Sequence, residues 1–152
     1  MIGFSKYFSF NELTDSSSHP ELVAQNRADA IKFQNAGKRL SKLLESVRHI
    51  LGDKPLKISS GFRNDRLNNA VGSKAKSSSH KIFEAADVIP NGMTIQEAFT
   101  ALIMAYRGGL LPDLRKVLHE GTWLHIETSM KVEDHIGFFV SKDNNKTWIK
   151  VA

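Results

Sequence analysis

Cysteine is absent from the 152 residues. That excludes a disulfide framework, a thiolate nucleophile and a cysteine metal site. Any metal must be held by histidine, aspartate or glutamate, and the chain has only six histidines. Also missing is any apolar run near the roughly 20 residues that cross a bilayer, so no membrane span is expected. The opening Met1-Ile2-Gly3-Phe4-Ser5-Lys6 lacks the charged start, apolar stretch and small-residue cleavage site of a secretory signal. The expectation is synthesis in the cytoplasm without one. Four prolines and ten glycines are too few for a collagenous or low-complexity chain. Hydrophobic residues at 41 % and charged residues at 24 % are ordinary globular usage, and the length suits one domain.

The net charge of +5 serves solubility or attraction to a polyanion, whether nucleic acid, anionic lipid or a bacterial envelope. The chain lacks basic stripes interleaved with aromatics and any nucleic-acid motif, so no nucleic-acid partner is expected. Apolar residues at Ile31, Ala36, Leu40, Leu43, Leu44, Val47, Ile50 and Leu51 have helical spacing, predicting a helix from Arg27 to Leu51 that stops at Gly52. Leu56 to Ser59 and Ala85 to Ile89 read as short strands, the second buried, with a polar irregular stretch from Gly61 to Lys81. Thr94 and Glu97 form a capping box that opens a helix reaching about Tyr106. Strands follow at Lys116 to Glu120, Trp123 to Thr128 and Ile136 to Ser141. After an Asp143-Asn144-Asn145-Lys146 turn comes a last strand, Thr147 to Val151. Helices first and an antiparallel sheet late predict an α+β fold, with N-terminal helices packed on a small antiparallel sheet.

The chemistry starts with a carboxylate in the wrong place. Asp87 lies inside the apolar run Ala85-Ala86-Asp87-Val88-Ile89, and burying it without a partner is costly. Either it pairs locally, or a turn folds His80 back onto it. His125 lies between apolar neighbours in Trp123-Leu124-His125-Ile126-Glu127, as a satisfied core residue or as a third donor. Two histidines and a carboxylate make the usual three-ligand catalytic zinc set. His19 and His49 read as solvent-facing. If Gly121-Thr122 is a two-residue turn, Leu118 pairs with His125, and Glu120 becomes its diagonal neighbour at roughly 7–8 Å. His119 then points to the other face. Glu120 is the candidate general base, and Glu127, on the face of His125, its rival.

Several motifs together resemble a family of zinc peptidases. They are Ile58-Ser59-Ser60-Gly61-Phe62-Arg63, Leu67-Asn68, Ala70-Val71-Gly72, Ser78-Ser79-His80 with Ala85 and Asp87, and Trp123-Leu124-His125. The family comprises D-Ala-D-Ala carboxypeptidases and L-alanyl-D-glutamate endopeptidases, including phage endolysins, with a Hedgehog-like α+β fold. Its pattern S-x-H-x-x-G-x-A-x-D followed by W-x-H matches except at Phe83, where the pattern has glycine. The opening Phe8-Ser9-Phe10-Asn11-Glu12-Leu13-Thr14 is similar as well. The resemblance covers residues from about 8 to 128 of a single domain, with a C-terminal β-hairpin over 136–151 beyond it.

The resemblance implies that His80, Asp87 and His125 bind one zinc ion per chain, that Arg63 contacts substrate or polarises its carbonyl, and that Ser78 lines the site. The family's catalytic glutamate precedes the last ligand, in several members by three residues, where Thr122 stands; Glu120 is the nearest acidic residue. If the Phe83 position needs positive φ, phenylalanine is strained there. The expected function is a monomeric zinc metallopeptidase of peptidoglycan stem peptides, endolysin-like, released to the periplasm and cell wall or carried in a virion. The alternatives are a D,D-carboxypeptidase and a non-catalytic module that keeps the fold, which Phe83 favours.

Overall fold

The computed structural model describes residues 4–73, 78–128, 136–141, 143–145 and 147–152. Lys146 of the expected turn and residues 74–77 of the expected irregular stretch lie outside these.

Amphipathic spacing makes the helices. In α3, Gln34–Ile50, the residues Leu40, Leu43, Leu44 and Val47 form one buried stripe. The expected helix from Arg27 starts earlier and is divided: α2, Val23–Ala30, passes into α3 through a 3₁₀ turn at Ile31–Phe33. That turn sets Phe33 edge-on against Phe62 at 5.7 Å. A short α1, Phe10–Leu13, is capped by Ser9, whose hydroxyl accepts from the Glu12 amide. Helix α4, Asp65–Ala70, falls in the stretch expected to be irregular. Asn64 caps it and only Leu67 and Asn68 are buried, too little for a periodic signal. Helix α5, Ile95–Arg107, opens with the expected Thr94–Glu97 capping box, both reciprocal bonds at 3.0 Å.

The strands are β1 Leu56–Ser60, β2 Ala85–Pro90, β3 Leu114–His119, β4 Leu124–Thr128, β5 Gly137–Val140 and β6 Ile149–Lys150. They form one sheet in the order β1-β2-β4-β3-β5-β6. The expected small antiparallel sheet is corrected in two ways. The early strands β1 and β2 belong to it, because a strand as buried as β2 needs backbone partners on both edges. The sheet is also mixed, since β5 runs parallel to β3; β4 already fills the other edge of β3.

Strand alternation divides the labour between the two faces. Ala86, Val88, Val117, Leu124 and Ile126 join the core with the buried residues of α3 and α5. His119 turns to that side too, 5.3 Å from Phe99, as the hairpin register predicts. Asp87, His125 and Glu127 are left on the opposite face.

Phe83 has φ 64° and ψ 31°, so the left-handed conformation is kept although glycine is not. Its ring is fully buried, 5.5 Å from Phe62, 5.7 Å from Phe4 and 6.4 Å from Phe10. It lies so close to Gly37 that a Cβ there would meet the ring at 2.8 Å. The backbone costs about 1–2 kcal/mol, whereas deleting a buried aromatic ring costs about 3–5 kcal/mol. The ring wins. Phe83→Gly is therefore expected to destabilise the protein by roughly 2–3 kcal/mol in urea unfolding. A neutral or stabilised variant would contradict this balance.

Candidate metal and catalytic site

Strand pairing does most of the assembly. Asp87 on β2 stands directly across from His125 on β4. His80 comes from a 3₁₀ turn, Ser79–Ile82, just before β2. Asp87 Oδ1 lies 3.1 Å from His125 Nδ1 and 3.3 Å from His80 Nε2, and the imidazole rings are 5.0 Å apart. All three side chains are buried, and one donor atom from each lies within 4.8 Å of the others. The sequence-predicted set is thus brought together, as a group that could hold a metal ion.

Each imidazole is gripped by its other nitrogen. His80 Nδ1 donates to the Gly61 carbonyl at 2.7 Å. Gly61 itself packs so tightly that a Cβ would fall 2.2 Å from the Leu13 carbonyl oxygen. Asn26, wholly buried, fixes the same segment: its amide donates to Thr14 O and Phe62 O, and its oxygen accepts from the Asn64 amide. On the other side, His125 Nε2 meets Glu127 Oε1 at 2.8 Å, and Arg115 Nη1 donates to Glu127 Oε2 at 2.7 Å. This chain of contacts is the outer support that metal-ligating histidines ordinarily have.

The protonation pattern tests the fit to a cation. Burial lowers the His80 pKa, only partly offset by the Asp87 charge, so the ring is neutral. With its proton on Nδ1, its Nε2 lone pair faces a carboxylate oxygen at 3.3 Å. Two acceptors at that distance repel unless a cation sits between them. Burial opposes ionisation of Asp87, but the two imidazoles beside it, His80 and His125, outweigh that and hold the carboxyl well below its usual range. Burial likewise opposes a charge on His125, yet its bonds to Asp87 and Glu127 push it up to about 10. A proton on Nδ1 there occupies the place a metal would take. The donor set fits zinc in type and number.

Around this group runs a cleft of about 600 Å³ lined by Arg63, Ser78, Glu120, Trp123 and the three donors. Arg63 is half-buried, donating Nη1–H to Ser60 Oγ at 3.2 Å and its backbone N–H to the His80 carbonyl at 3.1 Å. Ser78 caps the His80 turn. The β3–β4 register is the expected one, with Leu118 opposite His125 and the Glu120 amide bonded to the Trp123 carbonyl. Glu120 is held by Trp123 Nε1 at 2.7 Å. Burial and the nearby Asp87 charge raise its pKa, which suits a proton acceptor working near neutrality. Glu127 is engaged by His125 and Arg115, away from the cleft lining. Thr122 is exposed. His19 and His49 pair with Glu21 and Asp53 at the surface and take no part.

Sequence reasoning missed four participants. Arg115 faces Glu127 because of a bulge between Leu114 and Lys116 that no pattern announces. The Gly61 carbonyl carries no side-chain signal. Asn145 and Trp148 reach the cleft from the distant C-terminal turn.

The family model described as Peptidase M15 matches residues 6–127. No curated protein matches the chain by sequence. Two substitutions separate donor from support. His80→Ala is expected to abolish stoichiometric zinc binding. Glu127→Gln should keep the fold and weaken zinc affinity about 10- to 100-fold, as loss of a supporting carboxylate does. Competition with a chromophoric chelator measures both. Wild-type affinity in either variant would contradict the assignment.

Proposed function

The chain belongs to the peptidase M15 family, and on that premise we propose that it is a zinc-dependent endopeptidase of the peptidoglycan stem peptide. The observation that carries this reading is the convergence of His80, Asp87 and His125 beside Glu120 and Arg63 in one cleft. Zinc held there supplies a Lewis acid that acidifies water and polarises a carbonyl. Glu120 takes the proton from the attacking water and returns it to the leaving amine nitrogen. Its indole partner fixes the carboxylate in place while leaving the second oxygen for that exchange. Arg63 presents a forked donor to the carbonyl oxygen as charge develops, or to a substrate carboxylate. Ser78 shapes the turn that carries His80.

Cutting within a chain, rather than trimming its end, is supported by a second lobe. Beyond Arg63, Asp87 and Trp123 a space of about 270 Å³ continues between Asp15, Ser16, Ser17, Ser18, Ser59 and Ser60. A substrate can extend past the metal group on that side, whereas a carboxypeptidase has to end its cleft with a carboxylate trap. Phe83, the departure that favoured a non-catalytic module, keeps its left-handed backbone and leaves the donors converged. No helix among the described residues is long and apolar enough to cross a membrane.

Digestion of purified peptidoglycan, with the fragments identified by mass spectrometry, tests the reading. The wild-type protein is expected to release peptides with new amino termini inside the stem. Glu120→Gln should retain zinc and lose about 10²- to 10⁴-fold in rate, the contribution of one general base. A near-normal rate for Glu120→Gln, or an inactive Glu127→Gln that still holds full zinc, would overturn the assignment of the base.

A further inference from the structure

The family match ends at residue 127, but the cleft does not. Asn145 and Trp148, which lie between β5 and β6, line it together with Trp123, Val71, Gly72 and Ser73. That segment is shaped by its own hydrogen bonds. The Asp143 carboxylate accepts from the Thr147 amide at 2.8 Å and from the Thr147 hydroxyl. Ser141 Oγ accepts from the Asn145 amide at 2.9 Å. Asn144 and Asn145 take left-handed φ values of 57° and 66°, which asparagine tolerates better than most residues. The segment is also tied down beyond Trp148. Phe138 N donates to Ala152 O, and Val151 N to Phe138 O, both at 2.8 Å. Hydrogen bonds thus hold the described residues on both sides of Trp148.

The segment's chemistry differs from that of the rest of the cleft. The ionisable groups Arg63 and Glu120 line the cleft with the three metal donors. Among the described residues, this segment offers the cleft an indole ring and a carboxamide, both uncharged. Trp148 is half-buried, while Trp123 has its N–H committed to Glu120 and presents only ring. Stem peptides consist of alanine and charged residues; an ammonium group can sit over an indole face, but none of these side chains offers an apolar face to an indole together with both a donor and an acceptor for a carboxamide. A pyranose ring does. Its C–H face lies flat on the negative face of an indole, and its hydroxyl and acetamido groups exchange hydrogen bonds with a carboxamide.

We propose that Asn145 and Trp148 form a saccharide subsite that holds an N-acetylated amino sugar of the glycan strand bearing the stem peptide. The proposal rests on the peptidase reading for its choice of sugar. The subsite makes the enzyme prefer peptide still attached to glycan over free peptide, and the selectivity comes from a segment outside the family match.

The zinc-loaded 152-residue chain is titrated with the peptide-free disaccharide of N-acetylglucosamine and N-acetylmuramic acid, by calorimetry. Saturable binding is expected, weakened about tenfold in Trp148→Ala, the worth of one aromatic contact. Asn145→Ala should weaken it too, and Trp148→Phe should restore much of it. Zinc content and melting temperature, read alongside, show that each variant is folded. In parallel, the ratio of kcat/KM for disaccharide-peptide over the same peptide without sugar should fall toward one in Trp148→Ala. Absence of disaccharide binding by the wild-type protein, or binding unchanged in both Trp148→Ala and Asn145→Ala, would overturn the subsite. Trp148-dependent sugar binding by a protein that cuts neither substrate would remove the peptidase reading and leave the subsite standing.

Discussion

An ionised carboxylate on a strand paired along both edges costs several kcal/mol to bury unless partners meet it there. Asp87 is such a group, 7 % exposed on β2 between β1 and β4. Much of the surrounding structure consists of the groups that make its burial possible. The β2–β4 register supplies His125, and the turn before β2 supplies His80. Those rings are held in turn by the Gly61 carbonyl and by Glu127, whose own charge meets Arg115. Without a metal, a proton on His125 partly does the work of the cation, which is why its pKa is pushed up to about 10. Proton and metal then compete for the same nitrogen, the usual coupling of metal affinity to pH.

The rear of the site depends on packing rather than charge. Phe4, Phe10, Phe62 and Phe83 form a cluster behind the His80 turn. Phe62 lies between Gly61, which grips His80, and Arg63, which lines the cleft. One aromatic cluster therefore fixes a ligand, its outer support and the substrate-facing arginine together. The strained Phe83 backbone is the local price of that arrangement, and Gly37 leaves the space the ring needs.

Legibility in the sequence followed the range of each interaction. The stripe of α3, the capping box of α5 and the two-residue turn of the β3–β4 hairpin are local, and periodicity or turn chemistry announces them. Asp87 was legible as a buried carboxylate that demands partners whatever the fold, whereas the resemblance named His80 and His125 as those partners, because the residues alone left a local pairing open. Helix α4 was not, being six residues long with little buried surface. The parallel placement of β5 was not either, because strand direction depends on a connection through space and not on composition. Arg115 opposite Glu127 depends on a bulge, which shifts register by one residue without a sequence mark. Trp148 reaches the cleft only through the sheet, 61 positions along the chain from Asp87.

The central claim is that His80, Asp87 and His125 form a metal site rather than a self-sufficient buried ion-pair cluster. Anomalous diffraction from zinc-soaked crystals, collected on both sides of the zinc absorption edge, tests it most directly. The account predicts one strong peak bounded by His80 Nε2, His125 Nδ1 and the Asp87 carboxylate, at about 2.0–2.2 Å from each. No peak there, with the His125–Asp87 hydrogen bond intact and zinc bound elsewhere or not at all, would contradict it.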